Sequence, residues 1–257
     1  MKRKFRNNGF SLSEVLLAVS TLAVGLVLVA GVFPVAIHFT TTACERTIAA
    51  VVADEAFATI RLYADRGIDY GGFTAGRMWD FNDANIFPAT LNMLDSDFAY
   101  GNSRQYYWSA ICRRTATNSE SVQVTVFVCR KIGSGTKYWV RDTDPSSDEL
   151  LESDFPRPVY VKVDPTTGAS DELEIKDMVE SDDAIEEKTF INDGYLIVDD
   201  QSGRIYRVQE RYVDSADNRV LLERNWVGSS NMVWVVPSPV NGGRNPCIGV
   251  YQRIIRF

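Results

Sequence analysis

Hydrophobic positions fall into two regimes along the chain. From Val15 to Phe39 they run nearly unbroken for 25 residues, interrupted early by Ser20 and Thr21. About 20 apolar helical residues cross a bilayer core, so the run predicts a transmembrane helix over 10–39. Pro34 lies inside it, where it removes one helix hydrogen bond and favours a kink. Gly25 and Gly31 add small surfaces for close helix contact. The helical pattern continues past the span over 40–65. There Cys44, Ile48, Val51, Ala58 and Leu62 form one stripe, Glu55 interrupts it, and Val52, Ala56, Ile60 and Tyr63 widen it.

Beyond residue 65 the period changes. Residues 66–104 are rich in Gly, Asn and Asp and read as a long connection with turns. Gln105–Arg114 and Val122–Arg130 then form the clearest strand pair. Val122, Val124, Val126 and Val128 share one face at period two, which predicts an antiparallel hairpin packed on the helix. Shorter strands are expected at Val159–Val163, Gly194–Val198, Arg204–Val208, Val220–Glu223, Met232–Val236 and Ile248–Ile255. Asp199-Asp200-Gln201-Ser202-Gly203 is a turn between two of them. The expected fold class is therefore α+β: a long N-terminal helix packed on an antiparallel, β-rich soluble domain over 66–257, in one or two sheets.

The start of the chain changes this picture. Lys2, Arg3, Lys4 and Arg6 precede the span and no cation lies within it, so the N-terminus is expected in the cytoplasm. A cleaved secretory signal would have an apolar core of about 7–15 residues. This run is longer, as in an uncleaved anchor. Neither reading accounts for Gly9-Phe10, or for Glu14 at the head of an apolar span. A lone carboxylate in lipid costs a few kcal/mol even on lenient scales.

The string Gly9-Phe10-Ser11-Leu12-Ser13-Glu14, between a basic leader and a bilayer-length span, resembles the processing site of type IV prepilins and type II secretion pseudopilins. The resemblance covers mainly residues 1–39. It implies a pilin-like fold and removal of residues 1–9 by a prepilin peptidase, which cuts between Gly9 and Phe10 and methylates Phe10. Glu14 becomes the fifth mature residue. In the family this glutamate is thought to neutralise the N-terminal amine of a neighbouring subunit during assembly. Serines at the second and fourth mature positions depart mildly from the family pattern of threonine and a branched aliphatic. The implied partners are the peptidase, other pilin or pseudopilin subunits, an inner-membrane assembly platform and the lipid bilayer. The implied location is the inner membrane, single-pass, with the C-terminal domain periplasmic or carried into an extracellular filament. The size of the soluble part points to a minor, tip or priming subunit, because major pilins are usually shorter. The Trp108 strand, with Arg113-Arg114 before the valine-rich run, also resembles minor pilin-like proteins, more weakly than the leader does.

Composition adds exclusions. With 45% hydrophobic and 24% charged residues the chain is ordinary for a globular protein. Net charge is −7, and loss of residues 1–9 leaves −11, which excludes a nucleic-acid binder built on clustered cations. The acidity concentrates in 142–200, with 19 Asp or Glu against four Lys or Arg. The simple reading is a solvated surface. Calcium is the alternative, since hard cations need several converging carboxylates and related pseudopilins bind it. Asp142–Glu149 starts like an EF-hand loop but has Ser147 and Ser153 where that loop requires Gly and Glu. No other cofactor or metal is expected.

Cys44, Cys112, Cys129 and Cys247 allow three complete disulfide pairings, and spacing does not choose among them. Buried free thiols are equally compatible. His38, the only histidine, falls at the end of the span. That leaves no base for a serine hydrolase and no zinc-ligand pattern. The five tryptophans, Trp79, Trp108, Trp139, Trp226 and Trp234, read as core or sheet-face residues. The expectation is a structural subunit and not an enzyme. The alternative is a membrane-tethered periplasmic binding or adhesion protein that does not polymerise.

Overall fold

The computed structural model describes residues 10–64, 78–81, 99–100, 105–116, 121–133, 135–141, 149–166, 168, 170–178, 187–213, 218–228 and 230–256. Two compact units are present, Met1–Thr47 and Ile48–Phe257. The leader 1–9, most of the connection 66–104 and the EF-hand-like stretch 142–148 lie outside the described residues.

The described part of the first unit is helical. Helix α1 (Leu12–Ala64, 53 residues) supplies it and continues into the second unit. Residues 10–41 are all exposed, and the helix is long and apolar enough to span a membrane, with a window of mean hydropathy 2.6. Its hydroxyls are absorbed locally. Ser20 donates to the Leu16 carbonyl (2.8 Å), Thr21 to Ala18 (2.9 Å), Thr40 to Ala36 (2.8 Å) and Thr41 to Ile37 (2.9 Å). A hydroxyl bonded to its own helix needs no water, which lowers the cost of placing it in hydrocarbon.

The second unit holds thirteen described strands. They are β1 (Trp79–Asp80), β2 (Ala99–Tyr100), β3 (Tyr106–Arg114), β4 (Ser121–Arg130), β5 (Tyr138–Arg141), β6 (Leu150–Ser153), β7 (Val159–Pro165), β8 (Glu172–Lys176), β9 (Leu196–Asp199), β10 (Ile205–Val213), β11 (Asn218–Leu222), β12 (Met232–Val235) and β13 (Cys247–Arg256). All pair antiparallel. One sheet has the order β1-β3-β4-β13, with β2 also on β3. Strands β10-β11-β8-β7-β12-β9 close into a six-stranded barrel, and β5-β6 is a separate ribbon.

The expected hairpin is β3–β4, with Ala110 opposite Val126. Its valine face does pack on the helix: Val122, Val124, Val126 and Val128 join Trp108, Ala110 and Cys112 against Ala49, Val52, Ala53, Ala56, Phe57 and Ile60. The helix stripe read from sequence needs correction. Cys44, Val51, Ala58 and Leu62 are exposed. Val52, Ala56 and Ile60, read as widening that stripe, are buried, and Ile48 packs beside them. Ala49, Ala53 and Ala56 let the helix come close to a surface of branched valines.

The sheet is covered on its other side too. Ile111, Phe127 and Cys129 meet Val198 and Trp234, with Tyr160 and Ile205 packed around them. Those last four belong to β9, β12, β7 and β10, so they are outward-facing barrel residues. Their sequence neighbours Val161, Ile197, Tyr206, Val233 and Val235 fill the barrel interior. This alternation lets one set of strands serve two cores. The barrel is inserted in sequence between β4 and β13, which are themselves adjacent in the sheet.

The turn after β9 anchors the barrel. Gly203 has φ +68° and its backbone approaches Met78, Gln123 and Arg113 so closely that a Cβ would lie 2.7 Å from the Met78 methyl. Arg113 donates to the Gln201 carbonyl (2.7 Å) and to Gln123 (2.7 Å), while Gln252 donates to Gly203 and Thr125. Burial pulls the Arg113 guanidinium below its usual range, and Asp199 opposes this.

Candidate functional site

Gly9 lies outside the described residues; Phe10 and Glu14 do not. Phe10 precedes the helix and is 82% exposed. Glu14 is in the first helical turn and exposed. Together with Val15, Ala18, Val19 and Leu22, these two border one open groove along the helix. Phe10, just before the helix, and Glu14, in its first turn, thus lie along one groove.

Ser11 occupies the N-cap. Its Oγ accepts from the Glu14 N–H (3.3 Å), and its carbonyl accepts from Val15 N–H (3.2 Å). Ser11-Leu12-Ser13-Glu14 thus has the S-x-x-E form of a capping box, a signal present in the sequence and overlooked in reading it for processing alone. It gives Ser11 a role at the helix start, where serine and threonine both cap well. Glu14 also places an acid at the positive end of the helix dipole.

The acidic region 142–200 is not simply a solvated face. It contains β6 to β9, and within it Glu187, Asp199 and Asp200 are buried. Among the described residues no three His, Cys, Asp or Glu side chains converge as a metal site would need. Asp200 Oδ1 accepts from the Trp234 indole (2.7 Å) and from Met78 N–H (3.3 Å), and Asp199 Oδ2 accepts from Ser202 N–H (2.7 Å). These acids tie the turn and the barrel to the sheet.

Glu187 pairs with Arg141 at 2.8 Å, with side chains 4% and 6% exposed. Arg141 also donates to the Tyr160 carbonyl (3.1 Å) and stacks over that ring at 4.7 Å. Burial raises the Glu187 carboxyl above its usual range and the guanidinium pulls it back. A raised folded-state value contributes stability at low pH that is lost as pH rises through it. Arg141→Met removes the opposing cation. It is expected to cost about 3 kcal/mol, more at pH 8 than at pH 5, with most of the loss recovered by adding Glu187→Leu. Urea unfolding of the single and double variants at both pH values checks this.

The tryptophans lie where the sequence suggested. Trp108 and Trp234 are buried, and Trp79, Trp139 and Trp226 pack half-buried against the cores. Beside the barrel a cleft of about 320 Å³ is lined by Trp139, Phe190, Asn192, Arg211, Pro239 and Gly243, among others. Arg211 is held there by Asn192 (2.8 Å) and Asn218 (3.2 Å). Nothing in the sequence reading singled out this arginine.

No family model, no curated protein and no solved structure matches this chain.

Proposed function

We propose that this chain is a structural subunit, a minor pilin or pseudopilin. In this reading a prepilin peptidase trims it after Gly9 and methylates Phe10, and its N-terminal helix packs into a type IV pilus or a type II secretion pseudopilus. The observation that carries the reading is the order basic leader, Gly9-Phe10, Glu14, apolar span. The continuous 53-residue helix supports it, because its apolar part is exposed while a later segment packs on an antiparallel sheet. Such a division gives one part of a helix to a membrane or filament core and the other to a folded domain. The barrel enlarges the soluble part, which favours a minor, tip or priming role.

The mechanism is electrostatic. Cleavage creates a cationic amine on Phe10 at the membrane edge. Glu14 of one subunit neutralises that amine on the next, and in a low-dielectric environment the pair is favoured over two separated charges. Expression of the full chain with and without a prepilin peptidase tests the reading. Loss of residues 1–9 and gain of one methyl group on Phe10, only with the peptidase present, is the expected outcome. A mass unchanged by the peptidase would leave a membrane tether.

A further inference from the structure

We propose that Cys129 and Cys247 form a native disulfide that clasps the barrel insertion at its neck. Three observations carry this. Cys129 and Cys247 are directly opposed in the β4–β13 ladder. Arg130 N–H donates to the Pro246 carbonyl (2.8 Å), the bond that flanks a non-hydrogen-bonded antiparallel pair. Such pairs have the shorter Cα separation, about 4.5 Å, within the range that a disulfide spans. Both side chains also face the same core, with Ile111, Phe127, Trp234 and Val236; the Cys247 thiol donates to the Gly249 carbonyl (3.6 Å).

The other two cysteines are placed differently. Cys112 is buried on the opposite, helix-facing side of the sheet, among Ala110, Val124 and Val126. Cys44 is exposed in the first unit. Of the three complete pairings left open by the sequence, only the one joining Cys129 to Cys247 uses this contact.

The position gives the bond its effect. Cys129 is the last residue but one of β4, and Cys247 is the first of β13. All six barrel strands lie between them in the chain. A bond here closes a loop on the order of 100 residues, where the constraint on the unfolded chain is large. It also locks the two strands through which the barrel enters and leaves the sheet. The register shift at Ile248, between Cys247 and Gly249, turns the start of β13 so that Cys247 shares the face of Cys129.

The oxidation balances by thiol–disulfide exchange with a disulfide-bearing carrier protein. Half-exposed Cys247 attacks the carrier disulfide and releases one carrier thiol. The Cys129 sulfur then attacks the Cys247 sulfur in the mixed disulfide and the second carrier thiol leaves. Two protons and two electrons pass from the cysteine pair to the carrier. Burial and the neighbouring Cys247 push the Cys129 thiol well above its usual range, so this second step is slow in the folded protein and fast while β13 is still docking. Formation in the cell rests on the export reading above; formation in solution does not.

The test is a non-reducing peptide map of full-length protein from native membranes, with free thiols trapped before lysis. A linked Cys129–Cys247 peptide is expected. It should persist in Cys112→Ala and vanish in Cys247→Ala. Reduction should lower the Tm by roughly 10 °C, and Cys247→Ala should match the reduced wild type. In parallel, thiol-form protein unfolded and refolded with oxidised glutathione should give the same link. Alkylated Cys129 and Cys247 in both samples, or a link involving Cys112 instead, overturns the proposal. A link made by refolding but absent from the native sample overturns it as a native bond and points to the compartment, not the geometry, as the cause.

Discussion

Glu14→Gln is expected to leave the protein in the membrane fraction and to remove it almost completely from sheared filaments. The helix-terminus role of Glu14 and its proposed charge-pairing role separate in this variant. Glutamine fits a capping box about as well as glutamate, so the helix start at Ser11 is retained. The charge that would neutralise a neighbouring Phe10 amine is lost. A buried pair is worth ~3 kcal/mol when one partner is removed, which corresponds to about 100-fold in incorporation. Glu14→Ala is expected to lose incorporation equally, with some fraying of the first turn. Quantitative immunoblots of membranes and sheared filaments read both effects. Normal incorporation of the Gln variant would mean that Glu14 serves only the helix terminus.

Trp234→Ala is expected to be the most destabilising single change in the second unit. The indole is 5% exposed and sits where the outer barrel face meets the sheet. Its ring packs edge-on to Tyr160 at 5.4 Å, and its N–H donates to the buried Asp200. Truncating a buried Trp costs about 3–5 kcal/mol, and Asp200 loses its indole donor as well. The Tm of the full chain in mild detergent should fall by roughly 10 °C. Trp234→Phe keeps most of the volume and should cost ~1–2 kcal/mol, chiefly the lost donor. A fall of less than about 2 °C for the alanine variant would show that the barrel and sheet do not depend on this contact.

How much of this was readable in advance depends on the kind of signal. The period-two run Val122–Val128 and the apolar run Val15–Phe39 are local patterns, and both appear as a strand face and a helix. Strand β8 has the same alternation, Leu173 and Ile175 inside and Glu172 and Glu174 less buried, but its acids hid it in a stretch read as surface. On the helix, Val52, Ala56 and Ile60 of the sequence pattern are buried, but its central stripe is displaced onto exposed Val51, Ala58 and Leu62 because alanines weigh little in a hydrophobic stripe. Yet Ala49, Ala53 and Ala56 are what lets Val52, Phe57 and Ile60 reach the sheet. Barrel closure was out of reach. It rests on the pairings β8–β11, β7–β12 and β9–β12, whose partners are distant in sequence and carry no local mark. At the N-terminal site the order of residues pointed to Phe10 and Glu14, while the capping role of Ser11 needed the hydrogen bond itself. The cysteine pairing likewise depended on register, which four isolated positions do not encode.

Everything proposed about assembly requires a new amino terminus at Phe10. Mass spectrometry of the N-terminal peptide from the native protein reads that directly. The account expects a peptide that begins with N-methylated Phe10 and retains Glu14 as its fifth residue. A native peptide that still begins at Met1 would contradict it and leave a single-pass anchor carrying a sheet and a barrel.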